Sequence, residues 1–216
     1  MIDAYVYTTP NGFKALIGLE ELGLPYEAHW IDITKGEQMS PEYLAINPNN
    51  KIPAIVDREG PDGKPITVFE SGAVLVYLAE KAGKLLAKSG PARYTALEWV
   101  FFNAGGPGPM LGQLGYFTKF APEKIPAAIQ RYTKEAERLL SVLERRLAQV
   151  PYLAGEFSIA DIMNMTWARA AKVFIGMDLG PYPNLSRWIA ELEERPAFKR
   201  ALEMKPSRVV TSRAVT

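Results

Sequence analysis

Three short stretches of the chain carry polar residues where they could bind a small anionic or peptide-like ligand. In "FESGAVLVYLAE", Glu70 and Ser71 lie where an apolar strand pattern gives way to a helix. The start of a helix offers unpaired amides and the positive end of the helix dipole, which together bind anions. With a carboxylate and a hydroxyl added, this stretch suits an α-amino-acid group with both of its charges. Equally, Ser71 could simply cap the helix.

The second stretch, "NNKIPAIVD", places a proline at the start of a short apolar strand. Proline is tolerated at the first residue of a strand or in a turn, but not inside a paired strand. A cis Ile52–Pro53 bond would turn the chain sharply, and the Ile52 amide and carbonyl could then pair with a peptide-like ligand. Lys51 could neutralise a carboxylate of that ligand. The alternative is a plain turn with a solvated lysine.

The third stretch, "YTTPNG", follows a strand pattern and precedes a helix pattern. Thr8, Thr9 and Asn11 would present hydroxyl and amide groups near a helix start, a place that stabilises anions, thiolates included. Ordinary turn chemistry explains Pro10, Asn11 and Gly12 equally well.

The chain cannot supply a thiolate of its own. It contains no cysteine and a single histidine, His29. This composition excludes a disulfide framework, a zinc–thiolate site and a protein thiol nucleophile. His29 lies in the alternating pattern "YEAHWIDI" and is interpreted as structural, so no Ser-His-Asp triad is expected. If the protein performs nucleophilic or redox chemistry, the reactive atom should belong to a bound molecule.

The overall charge gives no signal for nucleic acid or a membrane. Lysine and arginine number 25 against 24 aspartate and glutamate residues, for a formal net charge of +1. Such a balance predicts no nucleic-acid or membrane partner. No apolar run approaches the roughly 18 residues that a membrane-spanning helix needs. The beginning of the chain, "MIDAYVYTTPNG", has no basic segment of the kind found in signal peptides, so a cytoplasmic location is expected.

The elements that must position the three stretches follow the order βαβ and then ββα. "DAYVYTT" and "YEAHWIDI" read as strands on either side of the helix "FKALIGLEELGL", with Pro10–Gly12 as a turn and Gly23 as the helix stop. Such a unit predicts parallel strands joined by a crossover helix. "PAIVD" and "ITVFE" read as a hairpin, and "SGAVLVYLAEKAG" as a helix capped by Ser71 and stopped at Gly83.

The second half of the chain is helix-periodic with almost no strand signal. We therefore predict an α/β domain over residues 1–83, an all-helical domain over 91–203, and a loose tail over 204–216. Clefts between domains are a preferred place for small ligands. "GGPGPMLG" lacks a preceding strand and loses amide donors to proline, so it predicts a helix kink or close helix approach rather than a phosphate loop. "FSIAD" is a capping box and is assigned no chemistry.

Taken together, these pieces resemble a cytosolic glutathione transferase, over about residues 1–203. "TPNG", "NPNNKIPAIVD", "FESGAVLVYLAEK" and "GGPGPMLGQ" carry the resemblance, and "SIAD" matches the capping box of that family. The first and last of the four are similar to the nu class and its disulfide-reductase relatives. The resemblance implies a thioredoxin-like α/β domain followed by an all-α helical bundle, and glutathione as the bound cosubstrate, with no metal.

The resemblance also implies roles for the residues in the first domain. Glu70 and Ser71 would hold the amino-acid head of glutathione, and Lys51 its glycine carboxylate. Ile52 would pair with the central cysteinyl unit, and Pro53 would be cis. Thr9 and Asn11 would lie near the sulfur and stabilise its thiolate. Three further residues are placed by the resemblance alone: Gln38 near the glycine end, Asn50 holding the loop, and Tyr7 as a rival of Thr9 and Asn11 for the sulfur.

The resembled family is dimeric and completes each site across the interface. Arg131 matches a basic residue directed toward the neighbour's ligand; the alternative is a surface partner of Glu135, one helical turn away. Asn103 takes the place of a glutamine that contacts the neighbour's glutathione in close relatives. Asparagine is one methylene shorter, which is a departure from the family pattern.

Our leading hypothesis from the sequence is glutathione-dependent disulfide reduction. A bound glutathione thiolate would attack a disulfide and a second glutathione would resolve the mixed disulfide, so that both attacking sulfurs belong to glutathione and none to the protein. A second hypothesis is conjugation of glutathione to an apolar electrophile, or peroxide reduction. Its second pocket would be lined by five aromatic residues, which could equally be helix-bundle core: Phe101, Phe102, Tyr116, Phe117 and Trp167. The third is a non-catalytic binding module of the same fold. The sequence does not name the second substrate or the number of glutathiones bound.

Overall fold

A five-stranded mixed sheet forms the centre of the first part of the chain. The computed structural model describes residues 1–206 and 210–212. The strands, in the sheet order β4-β3-β1-β2-β5, are β1 (Ile2–Val6), β2 (Tyr26–Trp30), β3 (Ala54–Asp57), β4 (Ile66–Phe69) and β5 (Val210–Ser212). β1 and β2 are parallel, and the other neighbouring pairs are antiparallel. The predicted crossover unit and the hairpin of β3 and β4 are confirmed.

Two long helices cover this sheet, and both end where the sequence predicts. They are α1 (Pro10–Leu22) and α3 (Ser71–Ala82), with the short α2 (Pro41–Leu44) between them. α1 packs on α3 closely, since a Cβ added to Gly18 would lie 2.7 Å from a methyl of Leu75. Gly23 and Gly83 follow the helices in the left-handed region, with φ of 65° and 66°, where glycine carries no steric penalty.

The C-terminal part of the chain returns to this sheet, which the sequence did not indicate. The chain divides into two compact units, one of Met1–Leu86 together with the segment from Pro196 onward, the other of Ala87–Arg195. Helix α9 (Pro196–Glu203) packs against α1, and Arg200 Nε donates to Glu20 at 2.6 Å. The placement of residues 196–203 in the helical domain is therefore wrong. The reason is that α9 has an apolar face, which packs against α1.

The predicted loose tail is also wrong in part. Residues 210–212 form β5, which extends the sheet by pairing with β2 from Tyr26 to Ala28. β2 would otherwise be an edge strand with unpaired amides and carbonyls, and β5 satisfies them. The tail prediction for residues 207–209 and 213–216 lies outside the described residues.

The second unit is helical, as predicted. Its helices are α4 (Pro91–Gly105), α5 (Pro107–Gly115), α6 (Pro126–Leu147), α7 (Ile159–Ala170) and α8 (Pro183–Glu193). Ser158 and Asp161 form the predicted capping box at the start of α7. The glycine-rich stretch breaks the helix between α4 and α5 at Gly106, and a Cβ added to Gly112 would lie 3.4 Å from Trp167. Both the kink and the close approach are thus confirmed. In the described part of the chain, no helix is both long and apolar enough to cross a bilayer.

Candidate functional site

The three polar stretches meet at one edge of the sheet. Tyr5, Ala54 and Phe69 lie side by side across β1, β3 and β4. β1 ends, β3 begins and β4 ends at this row, so the segments attached there reach the same edge. Thr9 follows β1 and Glu70 follows β4, and each directly precedes a helix. Two helix starts, each the positive end of a helix dipole, are therefore brought together at this edge.

Thr9 is the N-cap of α1. The helix begins at Pro10, so the predicted turn at Pro10–Gly12 is in fact the first turn of the helix, because Pro10 supplies the φ that a first helical residue needs. Thr9 Oγ1 accepts a hydrogen bond from the Gly12 amide at 3.1 Å. An amide can only donate, so this bond uses a lone pair of the hydroxyl and leaves its hydrogen for another acceptor.

Gly12 is required by the tightness of this corner. A Cβ at this position would lie 2.1 Å from the carbonyl oxygen of Tyr7. No other residue fits without moving the backbone. The start of α1 is therefore held directly against the end of β1, which fixes Thr9 and Asn11 relative to the sheet.

Asn11 lies in the first turn of α1, and its side chain is oriented by a lysine that the sequence analysis did not single out. Lys14 Nζ donates to Asn11 Oδ1 at 2.9 Å. An ammonium only donates, so it must bind the amide oxygen of Asn11, and the NH2 group then points elsewhere. Lys14 is 1% exposed. Burial lowers the pKa of Lys14 to about 7, and the charge of Glu70 opposes that shift.

Tyr7, the rival of Thr9 and Asn11, lies under the influence of a neighbouring carboxylate. The neighbouring Asp32 carboxylate raises the pKa of Tyr7. A tyrosine that stabilises a thiolate must donate its only hydroxyl hydrogen to the sulfur. The Asp32 carboxylate competes with a ligand sulfur for that hydrogen.

The turn before β3 presents the main chain of Ile52. The Ile52–Pro53 bond is cis, as the family resemblance implies. Among the described residues, no backbone hydrogen bond uses the amide or carbonyl of Ile52. The carbonyl of Lys51 is held by Tyr43 Oη and Asn47 Nδ2, each at 2.6 Å. These two supports hold the loop from the inside, since Tyr43 and Asn47 are buried.

Asn47 is the residue that organises this loop, a role the sequence analysis gave to Asn50. Asn47 Oδ1 accepts from the amide of Asn49 at 2.9 Å, and its carbonyl accepts from the amide of Asn50 at 3.0 Å. Asn50 itself has a φ of 48° and donates to Met39 Sδ at 2.6 Å. The run "NPNN" contained the signal, because asparagine both folds back on its own backbone and tolerates a left-handed φ.

Gln38 lies in the short 3-10 turn Glu37–Met39 after β2. Its Oε1 atom is buried and has no hydrogen-bond partner among the described residues. A buried acceptor without a partner is destabilising unless a ligand or a water supplies a donor. Met39 beside it joins this turn to the loop of Asn50, so Gln38 lies within the same group of segments.

Glu70 and Ser71 form the start of α3. Glu70 is exposed and has φ 68° and ψ 119°, a conformation that costs about 1–3 kcal/mol for a residue other than glycine and is typical of ligand-binding positions. The prediction that Ser71 caps α3 is wrong: Glu70 is the N-cap, no side chain caps the helix, and Ser71 is its first residue. The cause is the backbone of Glu70, which is the last non-helical residue, so the helix begins at Ser71, one residue earlier than the sequence suggested.

Two predicted site residues belong to the second unit. Asn103 on α4 is 0% exposed, so its side chain has no free surface for a ligand. Arg131 on α6 is exposed and lines an open groove of about 730 Å³ together with Met110 of α5. Glu135 accepts two hydrogen bonds from Arg138, at 2.7 and 2.8 Å, and so has a bidentate partner other than Arg131.

The five aromatic residues proposed for a second pocket do not form one cluster. Phe117 stacks on Tyr132 and meets Tyr116 edge-on, whereas Phe102 packs against Trp99. Phe101 is 70% exposed, and Trp167 is buried. The five residues therefore form neither a single apolar pocket nor one shared core.

His29 lies beside Tyr5 in the neighbouring strand and takes part in a charged cluster on one face of the sheet. Its Nε2 atom is 2.9 Å from Asp3 Oδ1, and its ring stacks on Tyr5. Asp3, Glu27 and His29 bring ligand-type atoms within 4.8 Å of one another. The Arg58 guanidinium donates to both oxygens of Asp3, at 2.5 and 2.7 Å, and thus supplies the cation of this cluster.

Comparison with known families identifies both parts of the chain. The family model described as "Glutathione S-transferase, N-terminal domain" matches residues 8–81, and the one described as "Glutathione S-transferase, C-terminal domain" matches residues 109–196. The chain is 48% identical over 204 residues to "Disulfide-bond oxidoreductase YfcG" of Escherichia coli, covering 94% of each protein. It is 41% identical to "Disulfide-bond oxidoreductase YghU" of the same organism, over 92% of this chain and 73% of YghU.

Solved structures agree with these relationships. A glutathione transferase family member from Pseudomonas fluorescens, with two glutathione bound, superposes with a TM-score of 0.90 at 45% identity, covering 94% of this chain and 92% of that one. A glutathione transferase from Pseudomonas putida, with one glutathione disulfide bound per subunit, gives 0.89 at 42% identity, over 95% and 92%. The chain belongs to the glutathione S-transferase family.

Proposed function

We propose that this protein is a glutathione-dependent disulfide reductase. The observation that carries the proposal is the pairing of a site suited to a thiolate with a chain that has no cysteine. Thr9 and Asn11 place hydrogen-bond donors at a helix start, and the sulfur they serve must arrive with a ligand. Relatives named disulfide-bond oxidoreductases support the reaction class, and neighbours with glutathione or its disulfide bound support the ligand.

The groups at the edge of the sheet match the parts of glutathione one by one. Glu70 and the amides that begin α3 at Ser71 fit an ammonium and a carboxylate on one carbon, which is the γ-glutamyl head. The unused amide and carbonyl of Ile52 fit the backbone of the central cysteinyl unit, as an added strand would. Lys51 is exposed beside Ile52 and fits the glycine carboxylate.

The thiolate is stabilised by donors rather than by a protein base. A free thiol has a pKa of about 8.5, and lowering it by two units requires about 2.7 kcal/mol of preference for the anion. Hydrogen bonds to a charged group contribute about 1.5 kcal/mol each. The Thr9 hydroxyl, the Asn11 NH2 group and the start of α1 together supply that amount, because both side chains already have their acceptor atoms engaged.

The reaction balances with glutathione as its only reductant. The bound thiolate attacks one sulfur of the substrate disulfide, forms a mixed disulfide, and releases the other sulfur as a thiolate that takes up a proton. A second glutathione thiolate attacks the glutathione sulfur of the mixed species. The substrate's second thiol is then released with glutathione disulfide. Two electrons pass from two glutathiones to one substrate disulfide.

A homodimer in the cytoplasm is the setting we propose for this reaction. Tyr94 and Phe101, seven residues apart on one face of α4, are 67% and 70% exposed in the single chain, as expected for a face that a second copy covers. Arg131 is exposed on α6 and is assigned to the neighbour's ligand. Reduced glutathione keeps thiols reduced in the cytosol, and a reaction that consumes it therefore favours the cytoplasm.

The proposal is tested by measuring two reactions with the same protein. We expect rapid consumption of hydroxyethyl disulfide with glutathione and slow conjugation of chloro-dinitrobenzene. A variant carrying both Glu70→Ala and Ser71→Ala should lose the first reaction, whereas Thr67→Ala, an exposed position on β4, should keep it. Faster conjugation than disulfide reduction would favour a conjugating enzyme. Glutathione binding with neither reaction would favour a non-catalytic module.

A further inference from the structure

Lys14 occupies a position that ordinary packing does not explain. It lies on α1 one turn after Asn11, and its side chain is 1% exposed. Burial of a lysine opposes its charged form, and fully buried lysines are rare unless paired. Leu16, Leu19 and Leu22 already supply apolar contacts for this helix, so Lys14 is not needed as a hydrophobic residue.

The contacts of Lys14 connect the starts of two helices. Its Nζ atom donates to Asn11 Oδ1 at 2.9 Å in the first turn of α1. Its charge also interacts favourably with Glu70, the N-cap residue of α3. Both partners belong to the group of residues at the edge of the sheet, one on the side of the sulfur and one on the side of the amino-acid head.

We propose that Lys14 is a positioning residue for thiolate formation, which acts by fixing the Asn11 amide with its NH2 group toward the ligand sulfur. This inference rests on the proposed function of the site. The ammonium has no acceptor atom, so it can bind only the oxygen of the amide, and it thereby decides between the two orientations of Asn11. Without it, Asn11 could rotate by half a turn and present an oxygen to a thiolate, which would repel it.

Lys14 also places a positive charge near the anion that the reaction requires. Its burial removes the screening that water would provide, so the charge acts through Asn11 with little loss. Burial lowers the pKa of Lys14 to about 7, and the Glu70 carboxylate partly opposes that shift, so the group is mainly the ammonium below about pH 7. Coupling of this kind is reciprocal: if the ammonium stabilises the thiolate, the thiolate stabilises the ammonium equally.

The first experiment measures the thiol pKa of bound glutathione from its ultraviolet thiolate absorbance. Lys14→Met, of similar length and no charge, should raise that pKa by about one unit, with S-methylglutathione binding not weakened. Lys81→Met, the matched control on α3, removes a lysine paired with Asp57 at 2.6 Å and should leave the thiol pKa unchanged. In an Asn11→Ala background, Lys14→Met should raise the thiol pKa much less, because the residue it orients is absent.

A second measurement needs no variant and decides the matter if Lys14→Met does not fold. The pKa of the Lys14 ammonium, followed by nuclear magnetic resonance in the wild-type protein, should be higher with glutathione bound than with S-methylglutathione, which has no ionisable thiol. Equal Lys14 pKa values in the two complexes would overturn the proposal. So would an unchanged thiol pKa in folded Lys14→Met.

The same measurements separate the role of Lys14 from the proposed function. If the wild-type protein binds glutathione with a lowered thiol pKa and Lys14→Met retains it, only the role of Lys14 is lost. If the wild-type protein binds neither glutathione nor S-methylglutathione, the proposed function and the role of Lys14 are both wrong.

Discussion

Replacement of Thr9 by alanine should raise the thiol pKa of bound glutathione while the fold is kept. The Thr9 hydroxyl has two separable roles. It accepts from the Gly12 amide at 3.1 Å, and in the proposed complex it donates its hydrogen to the ligand sulfur. Alanine removes both, so the expected effect has a part that concerns stability and a part that concerns chemistry.

The magnitude follows from the hydrogen bond that is lost. A bond to a charged group contributes about 1.5 kcal/mol, which corresponds to about 1.1 pKa units. A thiol pKa of about 6.5 would therefore become about 7.6. At pH 7 the thiolate fraction falls from about three quarters to about one fifth, and kcat/KM falls about fourfold. Above about pH 9 the difference should vanish or reverse, because a thiolate of higher pKa is the stronger nucleophile.

The assay is the pH dependence of kcat/KM for hydroxyethyl disulfide, with two further variants as controls. Thr9→Ser keeps both roles and should behave as the wild type. Thr9→Asp keeps the cap but has no hydrogen to donate and adds a negative charge, so its thiol pKa should rise at least as far as that of Thr9→Ala. The lost cap should cost Thr9→Ala about 1 kcal/mol of unfolding free energy. A Thr9→Ala pH profile that superimposes on the wild type would refute the assignment of Thr9.

Three further predictions concern the amino-acid head, the dimer and the fold. Ser71→Ala should weaken glutathione binding about tenfold with little change in kcat, and calorimetry showing unaltered affinity would contradict its role. The role of Arg131 is tested with a mixed dimer, in which one subunit carries Glu70→Ala and Ser71→Ala and the other carries Arg131→Ala. This dimer should keep about half of the wild-type activity if Arg131 serves the neighbour's site, and almost none if Arg131 serves its own site. Asp161→Ala should cost about 3 kcal/mol or more of unfolding free energy in denaturant titrations. The reason is that the Trp188 indole and the Leu153 amide, each 3.0 Å from the Asp161 carboxylate, lose their acceptor. A loss below about 1 kcal/mol would argue against that role of Asp161.

The parts of the fold that the sequence predicts depend on signals within a few residues. The strand–helix–strand unit, the left-handed glycines Gly23 and Gly83, and the capping box of Ser158 and Asp161 are each defined by a short pattern. The convergence of the three polar stretches follows from the strand order, since antiparallel β3 begins where β1 ends. The pairing of β3 with β1 is seen only in the structure, so the convergence itself was not predicted from the local patterns.

The rest could not be predicted because it depends on partners far apart in the chain. The local sequence pattern does not show that Lys14 is buried, because one of its partners, Glu70, lies at the start of a different helix and is distant in the chain. An amphipathic pattern over 196–203 predicts a helix, yet it does not say that α1 is the surface it covers. The support of Lys51 by Tyr43 and Asn47 is likewise invisible, because it concerns a backbone carbonyl whose need for donors appears only in the folded loop.

The most direct measurement of the central claim is the ultraviolet titration of the glutathione thiol on the wild-type protein. The free thiol titrates near pH 8.5, and the account predicts that the bound thiol titrates about two units lower, with no protein sulfur involved. A bound thiol that titrates as it does in free solution would contradict the idea that Thr9, Asn11 and the start of α1 create the nucleophile.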